Sequence, residues 1–431
     1  MKIEKLHQLF LESAGVTTDS RNILDGGIFF ALKGDNFNGN AFASKALEKG
    51  AKYAVIDEKE YAENEDCILV KDSLKALQKL ANFHKHYLNI PILAITGSNG
   101  KTTSKELISA VLSQKFTTVA TKGNLNNHIG VPLTLLSMNE TTEMGVVEMG
   151  ANHHGEIKKL CKIAHPDYGY ITNFGKAHLE GFGSVEGVIK AKSELYNFLK
   201  KNNKLLFLNA DDPIQQKNLR YSPHFSFGKD KEADVQISYR EISLLAEISE
   251  GETIYKSQLM GSYNAINMAA AVCIGKYFRI QDSKIQEAIQ SYSPKNNRSQ
   301  LLQLEDMSLL MDAYNANPTS MRAALENFSS YPHEKKIAIL GDMFELGSNS
   351  AQEHQDIITL LENSSIEKAF VTGSNFNKVI LSNPKIEKFE KFEDLQQVLS
   401  ETDLKGAFIL IKGSRKMALE RLIDLFKKTY E

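Results

Sequence analysis

Short apolar runs alternate along this chain with segments of helical periodicity. Near the start, Gly27-Ile28-Phe29-Phe30-Ala31-Leu32 and Ala51-Lys52-Tyr53-Ala54-Val55-Ile56 read as strands, separated by a glycine- and asparagine-rich loop from Lys33 to Asn40. Leu74, Leu77, Ala81 and Tyr87 recur at helical spacing, and Asn89-Ile90-Pro91 ends that helix because proline disfavours helix in the residue before it. Strands are then expected from Ile92 to Thr96, Gly145 to Glu148, Tyr168 to Asn173 and Leu205 to Asn209. Helices are expected from near Thr103 to Ser113 and from Val185 to Leu199. After the turn-forming run Ser293-Pro294-Lys295-Asn296-Asn297, strands resume at Leu309 to Asp312, Lys336 to Leu340, Ala369 to Thr372 and Ala407 to Ile411.

Strands alternating with helices predict parallel sheets covered by helices. The expected fold class is α/β in three domains. These are a small N-terminal α/β domain over 1–88, a central mostly parallel-sheet domain with a phosphate loop over 89–296, and a Rossmann-like α/β domain over 297–431. A length of 431 residues suits that number, at roughly 100–200 residues per domain.

Composition changes little. With 42% hydrophobic and 24% charged residues and a formal net charge of -2, nothing calls for a nucleic-acid partner. Cys67, Cys161 and Cys273 are odd in number and widely spaced, which argues against a disulfide framework or a cysteine zinc site and fits a reducing cytoplasm. Met1-Lys2-Ile3-Glu4-Lys5 leads into a short mixed segment that does not read as an export signal, and no stretch approaches 18 uninterrupted apolar residues. A cytoplasmic protein without a membrane partner is expected.

The most informative stretch is Thr96-Gly97-Ser98-Asn99-Gly100-Lys101-Thr102-Thr103, where an apolar strand runs through a glycine turn into a helix. Gly97 and Gly100 let backbone N–H groups point inward at phosphates, and the helix adds its positive dipole end. Lys101 would reach the terminal phosphates and the Thr102 hydroxyl would ligate Mg²⁺. Position 95 is isoleucine where the common phosphate-loop pattern needs glycine, so this is a shorter variant.

Ligands of such sheets bind beyond the carboxyl ends of the strands, which puts Thr96, Glu148, Asn173 and Asn209 near the loop. Glu148 closes an apolar strand and suits Mg²⁺, a cation that prefers oxygen. Lys192 falls within the apolar stripe Val185, Val188, Ile189, Leu195, Tyr196 and Leu199. Desolvation there favours a neutral amine able to take up carbon dioxide as a carbamate, and a snorkelling lysine is the alternative. His178 lies in a glycine-rich loop, where either solvation or a second metal site is open. Asp312-Ala313-Tyr314-Asn315-Ala316-Asn317-Pro318, Gly341-Asp342 and Lys412-Gly413-Ser414-Arg415 each follow an apolar strand and suit either turns or recognition of a polar, anionic ligand.

Taken together, these stretches resemble the Mur ligase family, ATP-dependent amide-forming enzymes that build the peptide stem of the bacterial cell wall. The resemblance spans all three segments. Within the family, Lys122 to Pro132, Glu148 to Ile157, Ala177 to Ser184, Asp312 to Pro318, Leu340 to Gly347 and Lys412 to Arg415 look like the ligases that add D-alanyl-D-alanine to UDP-N-acetylmuramoyl-tripeptide.

The resemblance implies that the first domain binds the UDP end, with Ser20 and Arg21 as contacts, and that Asn126, Asn127, Tyr314 and Asn317 also meet substrate. It implies an ATP site of Gly97, Ser98, Asn99, Gly100, Lys101, Thr102, Thr103, Asn264, Asn267, Arg298, Asp312 and Asn315. Catalytic roles fall to Lys101, Asn173, His178, Lys192, Arg298 and Asp312. Thr102 and Glu148 would hold one Mg²⁺, and His178 with carbamylated Lys192 a second. A monomer is expected. Tyr263, Asn297 and Asn38-Gly39-Asn40 depart from the family pattern and affect fine contacts to adenine and uridine. Two other readings are a Mur-type ligase adding a different amino acid and a non-ligating ATP-driven switch. An acceptor panel separates the first, and indifference to Lys192 would mark the second.

Overall fold

The computed structural model describes residues 1–221, 223–240, 245–294 and 297–430. Lys295 and Asn296, within the expected second boundary, lie outside the described residues.

The first segment carries a four-stranded parallel sheet in the order Val16–Thr17, Ile28–Phe30, Tyr53–Ile56, Cys67–Leu69. The helix expected from Leu74 to Tyr87 runs over Ser73–Leu88. Asp72 caps it by accepting the Lys75 N–H, and Asn89 ends it in the left-handed region at φ 51°. Its buried Leu77, Leu80 and Ala81 share one core with Leu135, Ile157 and Leu160, so apolar packing is continuous across residue 88.

The central sheet has seven strands, all parallel. Their order is Val235–Gln236, His224–Gly228, Leu205–Asn209, Tyr168–Ile171, Ile92–Thr96, Met144–Glu148, Thr118–Ala120. Every residue of Ile92–Thr96, Met144–Glu148 and Leu205–Asn209 is buried, as expected of strands covered on both faces. Ile92–Thr96 sits where the strand order reverses. The chain leaves it to one side towards Thr118–Ala120 and returns on the other as Tyr168–Ile171, which opens a crevice at its carboxyl end.

Two local expectations are corrected. The helix after the phosphate loop begins at Lys101 rather than Thr103, because Gly100 at φ 73° already turns the chain into it. The helix expected from Val185 to Leu199 is two, Val185–Lys192 and Glu194–Lys201, broken at Ser193. There the Glu194 carboxylate accepts the N–H groups of Gly155 at 2.7 Å and Lys158 at 2.8 Å, capping the helix Glu156–Ala164. An antiparallel sheet of Ser238–Arg240, Leu245–Glu250 and Thr253–Met260 was also not foreseen. Its pattern is partly polar and belongs to a sheet packed on one side.

The last segment is a six-stranded sheet in the order Gln300–Leu304, Met307–Asp312, Phe408–Lys412, Lys336–Gly341, Lys368–Thr372, Ile386–Phe389. It is parallel except for the Gln300–Leu304 edge. Separate apolar clusters cover its two faces. Among the described residues no helix is long and apolar enough to cross a membrane.

Candidate active site

A cavity of about 1020 Å³ opens at the carboxyl end of Ile92–Thr96, between the central sheet and the last segment. Its floor is the glycine turn. Gly97 stands at φ 147°, and a Cβ there would lie 1.9 Å from Thr172 Oγ1, so only glycine fits. Asn173 braces the turn from the next strand. Its Oδ1 accepts the Asn99 N–H at 3.0 Å, its Nδ2 donates to Asn99 O at 3.0 Å, and its carbonyl accepts the Ser98 N–H at 3.0 Å. Lys101 folds back onto the turn, donating to Gly97 O at 2.8 Å and Ser98 O at 3.1 Å. Burial lowers its pKa; Glu148 opposes that and Arg298 adds to it.

Glu148 is 1% exposed, yet both oxygens are satisfied. Oε2 accepts from Thr102 Oγ1 at 3.0 Å and Oε1 from Asn126 Nδ2 at 2.8 Å. A carboxylate and a hydroxyl at the edge of a phosphate loop form an oxygen donor pair that fits Mg²⁺. Asn126 therefore lies on Glu148, while Asn127 Oδ1 accepts the Ile129 and Gly130 N–H groups.

From the last segment, Arg298 lays its guanidinium 3.5 Å from the centre of the Tyr314 ring. Asp312 accepts from the Ser299 N–H at 3.1 Å and from Lys412 Nζ at 2.5 Å. Asn317 caps the helix Pro318–Ser330 and reaches across to the loop, donating to Asn99 Oδ1 at 2.7 Å. Asn264 and Asn267 are buried and bonded to each other at 2.9 Å, and Asn267 stands beside Gly100 and accepts from Ser104 at 3.0 Å.

The cavity thus gathers Ser98, Asn99, Gly100, Lys101, Thr102, Thr103, Asn126, Asn127, Glu148, Asn173, His178, Asn264, Asn267, Arg298, Asp312, Tyr314, Asn315 and Asn317. Gly97, at the start of the turn, does not line it. Ser20 and Arg21 are not brought to the cavity; Arg21 is exposed and paired with Asp19 at 2.9 Å. Lys192 does not line it either. Its side chain is 1% exposed, and Nζ donates to Ala151 O at 3.0 Å and lies 5.2 Å from the centre of the Phe182 ring. Burial drives its pKa well below the usual lysine value, with Lys101 adding to the shift. This fits the neutral amine rather than snorkelling. His178 borders the same Phe182 ring and bonds through Nδ1 to Glu345 of the last segment.

Sequence reasoning singled out the stretches that hold Lys412 and Glu345 but gave neither residue a role of its own. Lys412 is 2% exposed and closes the otherwise apolar strand Phe408–Lys412, the same signal that drew attention to Glu148. Glu345 falls in the Leu340 to Gly347 stretch, yet its pairing gives no local signal, since the partner is 167 residues away.

Family models match in chain order: "Mur ligase family, catalytic domain" over residues 12–85, "Mur ligase middle domain" over 95–275, and "Mur ligase, glutamate ligase domain" over 297–415. The chain belongs to the Mur ligase family. A protein of Bacillus subtilis (strain 168) named "UDP-N-acetylmuramoyl-tripeptide--D-alanyl-D-alanine ligase" is 35% identical, over 95% of this chain and 92% of its own length. The crystal structure of MurF from Acinetobacter baumannii superposes with a TM-score of 0.88 at 28% identity, covering 99% of this chain and 98% of that one. MurF ligase from Thermotoga maritima, solved in complex with ADP, gives 0.84 at 28% identity and 98% coverage of both chains.

Proposed function

We propose that this chain joins D-alanyl-D-alanine to UDP-N-acetylmuramoyl-tripeptide, splitting ATP to ADP and phosphate, in the cytoplasmic synthesis of peptidoglycan precursor. The observation that carries the reading is one cavity receiving Lys101 and Glu148 from the central sheet and Arg298, Asp312 and Lys412 from the last segment. The full-length likeness to ligases of that name supports the choice of substrates.

A carboxylate resists attack by an amine because its oxygen leaves poorly and its charge shields the carbon. The terminal carboxylate of the tripeptide attacks the γ-phosphate of ATP, expelling ADP and forming an acyl phosphate. The free amine of the dipeptide then attacks the acyl carbon, phosphate leaves, and the amine loses a proton. Lys101, released from the Gly97 and Ser98 carbonyls, neutralises charge on the transferred phosphoryl group. Thr102 and Glu148 would hold a Mg²⁺ ion, which would supply further charge neutralisation. His178 and Lys192, the latter as its carbamate, would hold a second ion that orients the carboxylate against the phosphate. Arg298 approaches the phosphates as the last segment closes, which also excludes water from the acyl phosphate.

The first segment, 1–88, holds the UDP end, with 89–296 binding ATP and 297–431 completing the site. Asp72, Lys75 and Gln78 carry the cavity wall into that first segment. The test is phosphate release from ATP and Mg²⁺ with UDP-muramoyl tripeptide, with and without D-alanyl-D-alanine, and mass analysis of the product. Release requiring both substrates, and a product heavier by one dipeptide less water, is expected. Release indifferent to the dipeptide, without a new amide, would overturn the reading.

A further inference from the structure

We propose that Glu345 is a positioning residue that fixes the tautomer of His178 from across the domain interface. The imidazole is then presented to the cavity through Nε2 only while the last segment is closed. The inference rests on the reading of this cavity as the ligation site.

A carboxylate accepts hydrogen bonds and does not donate them, so His178 Nδ1, bonded to Glu345, carries the proton. In the neutral ring the lone pair then lies on Nε2, which has no hydrogen-bond partner among the described residues. His178 lines the cavity with 22% of its side chain exposed. A histidine whose Nδ1–H is anchored on a carboxylate has its ring plane and basicity set for a cation or proton at the other nitrogen.

The geometry is built from both sides. His178 at φ 52° and Glu345 at φ 62° both occupy the left-handed region, uncommon for residues with a Cβ. Glu345 is turned outward by anchors on the two residues before it. The Met343 N–H donates to His354 Nε2 at 3.0 Å and the Phe344 N–H to Ser414 Oγ at 3.1 Å. On the central side, the segment bearing His178 is held by three separate parts of the last segment. The Glu180 N–H donates to Glu345 O at 3.2 Å, the Lys176 N–H to Thr319 Oγ1 at 2.9 Å, and Lys176 Nζ to Glu353 Oε1 at 2.6 Å. Every one of these bonds is lost if the last segment swings away. No described residue of the central sheet replaces Glu345 at Nδ1, so opening frees the ring to change tautomer and turn.

The test uses full-length protein labelled with ¹⁵N in its histidine rings, with the His178 signal assigned by its loss in His178→Gln. With ADP and Mg²⁺ bound, wild type should show the Nδ1–H tautomer. Glu345→Ala should show mixed tautomers, and Glu345→Gln should keep the wild-type pattern because its amide oxygen also accepts. Ligase kcat should fall about 10–100-fold in Glu345→Ala with KM for ATP unchanged, and recover in Glu345→Gln. Unaltered thermal melting of the half-exposed Glu345 variants excludes misfolding. An Nε2–H tautomer in wild type, or an unchanged His178 signal in Glu345→Ala, would overturn the proposal. Absence of ligation by wild type would instead remove the ligase reading, leaving the tautomer to be decided by the spectrum.

Discussion

Thr102 Oγ1 lies 3.0 Å from Glu148 Oε2, a bond joining the first turn of the phosphate-loop helix to the end of the neighbouring strand. These two oxygens share a site that a divalent cation can occupy. Replacing Glu148 by Gln keeps the shape and removes the charge. Phosphate release at saturating substrates should fall by about 10²-fold or more, and the Mg²⁺ concentration for half-maximal rate should rise. A variant with the Mg²⁺ dependence of wild type would remove Glu148 from the cation site.

Lys192 is 1% exposed, and among the described residues its Nζ has the Ala151 carbonyl as its one acceptor. Lys192→Ala should abolish ligation, and a short carboxylate such as acetate or formate should restore part of it by standing in for the carbamate. Mass analysis of wild type kept with bicarbonate should find the added carbon dioxide. Full activity without rescue agent would exclude the carbamate.

Asp312 and Lys412 pair at 2.5 Å, with side chains 18% and 2% exposed. Removing the Asp312 carboxylate leaves a buried ammonium with, among the described residues, only carbonyl partners. Asp312→Ala should therefore lower unfolding free energy by about 3–5 kcal/mol, read by denaturant melts. Loss of activity with no loss of stability would assign Asp312 to substrate alone.

His7 Nε2 meets His84 Nδ1 at 3.0 Å, and His84 Nε2 meets Met138 O at 2.9 Å, linking the first helix, Ser73–Leu88 and the central segment. Burial lowers the pKa of both, and for His7 the neighbouring His84 adds to it. The folded form holds them neutral while the unfolded chain takes up protons near 6.5. Stability is thus greatest above that value and declines as pH falls below it, by at most about 1.4 kcal/mol per pH unit for each histidine. Denaturant midpoints measured between about pH 7 and about pH 5 should show the decline, and His84→Gln should flatten it.

The parts legible in sequence are those whose signal is local. Ile92–Thr96 and Leu205–Asn209 show as apolar runs because strands covered on both faces exclude water throughout their length. The glycine turn shows because its backbone permits few residues. The break at Ser193 did not show, since it serves the Glu194 cap on a helix almost 40 residues earlier in the chain. Nor did the antiparallel sheet within 238–260, whose strands mix polar with apolar positions.

By itself the sequence determined the alternation of strands and helices and the glycine turn between Ile92–Thr96 and the next helix, because periodicity and steric permission act within a few residues. Tertiary structure alone decided that Lys192 is sealed beneath Ala151 and Phe182, that Lys412 holds Asp312, and that Glu345 bonds His178. Asp312 and Lys412, 100 residues apart, meet only once their strands pair in one sheet, and His178 and Glu345, 167 residues apart, only once the last segment packs on the central one; no local preference encodes which charge will face which.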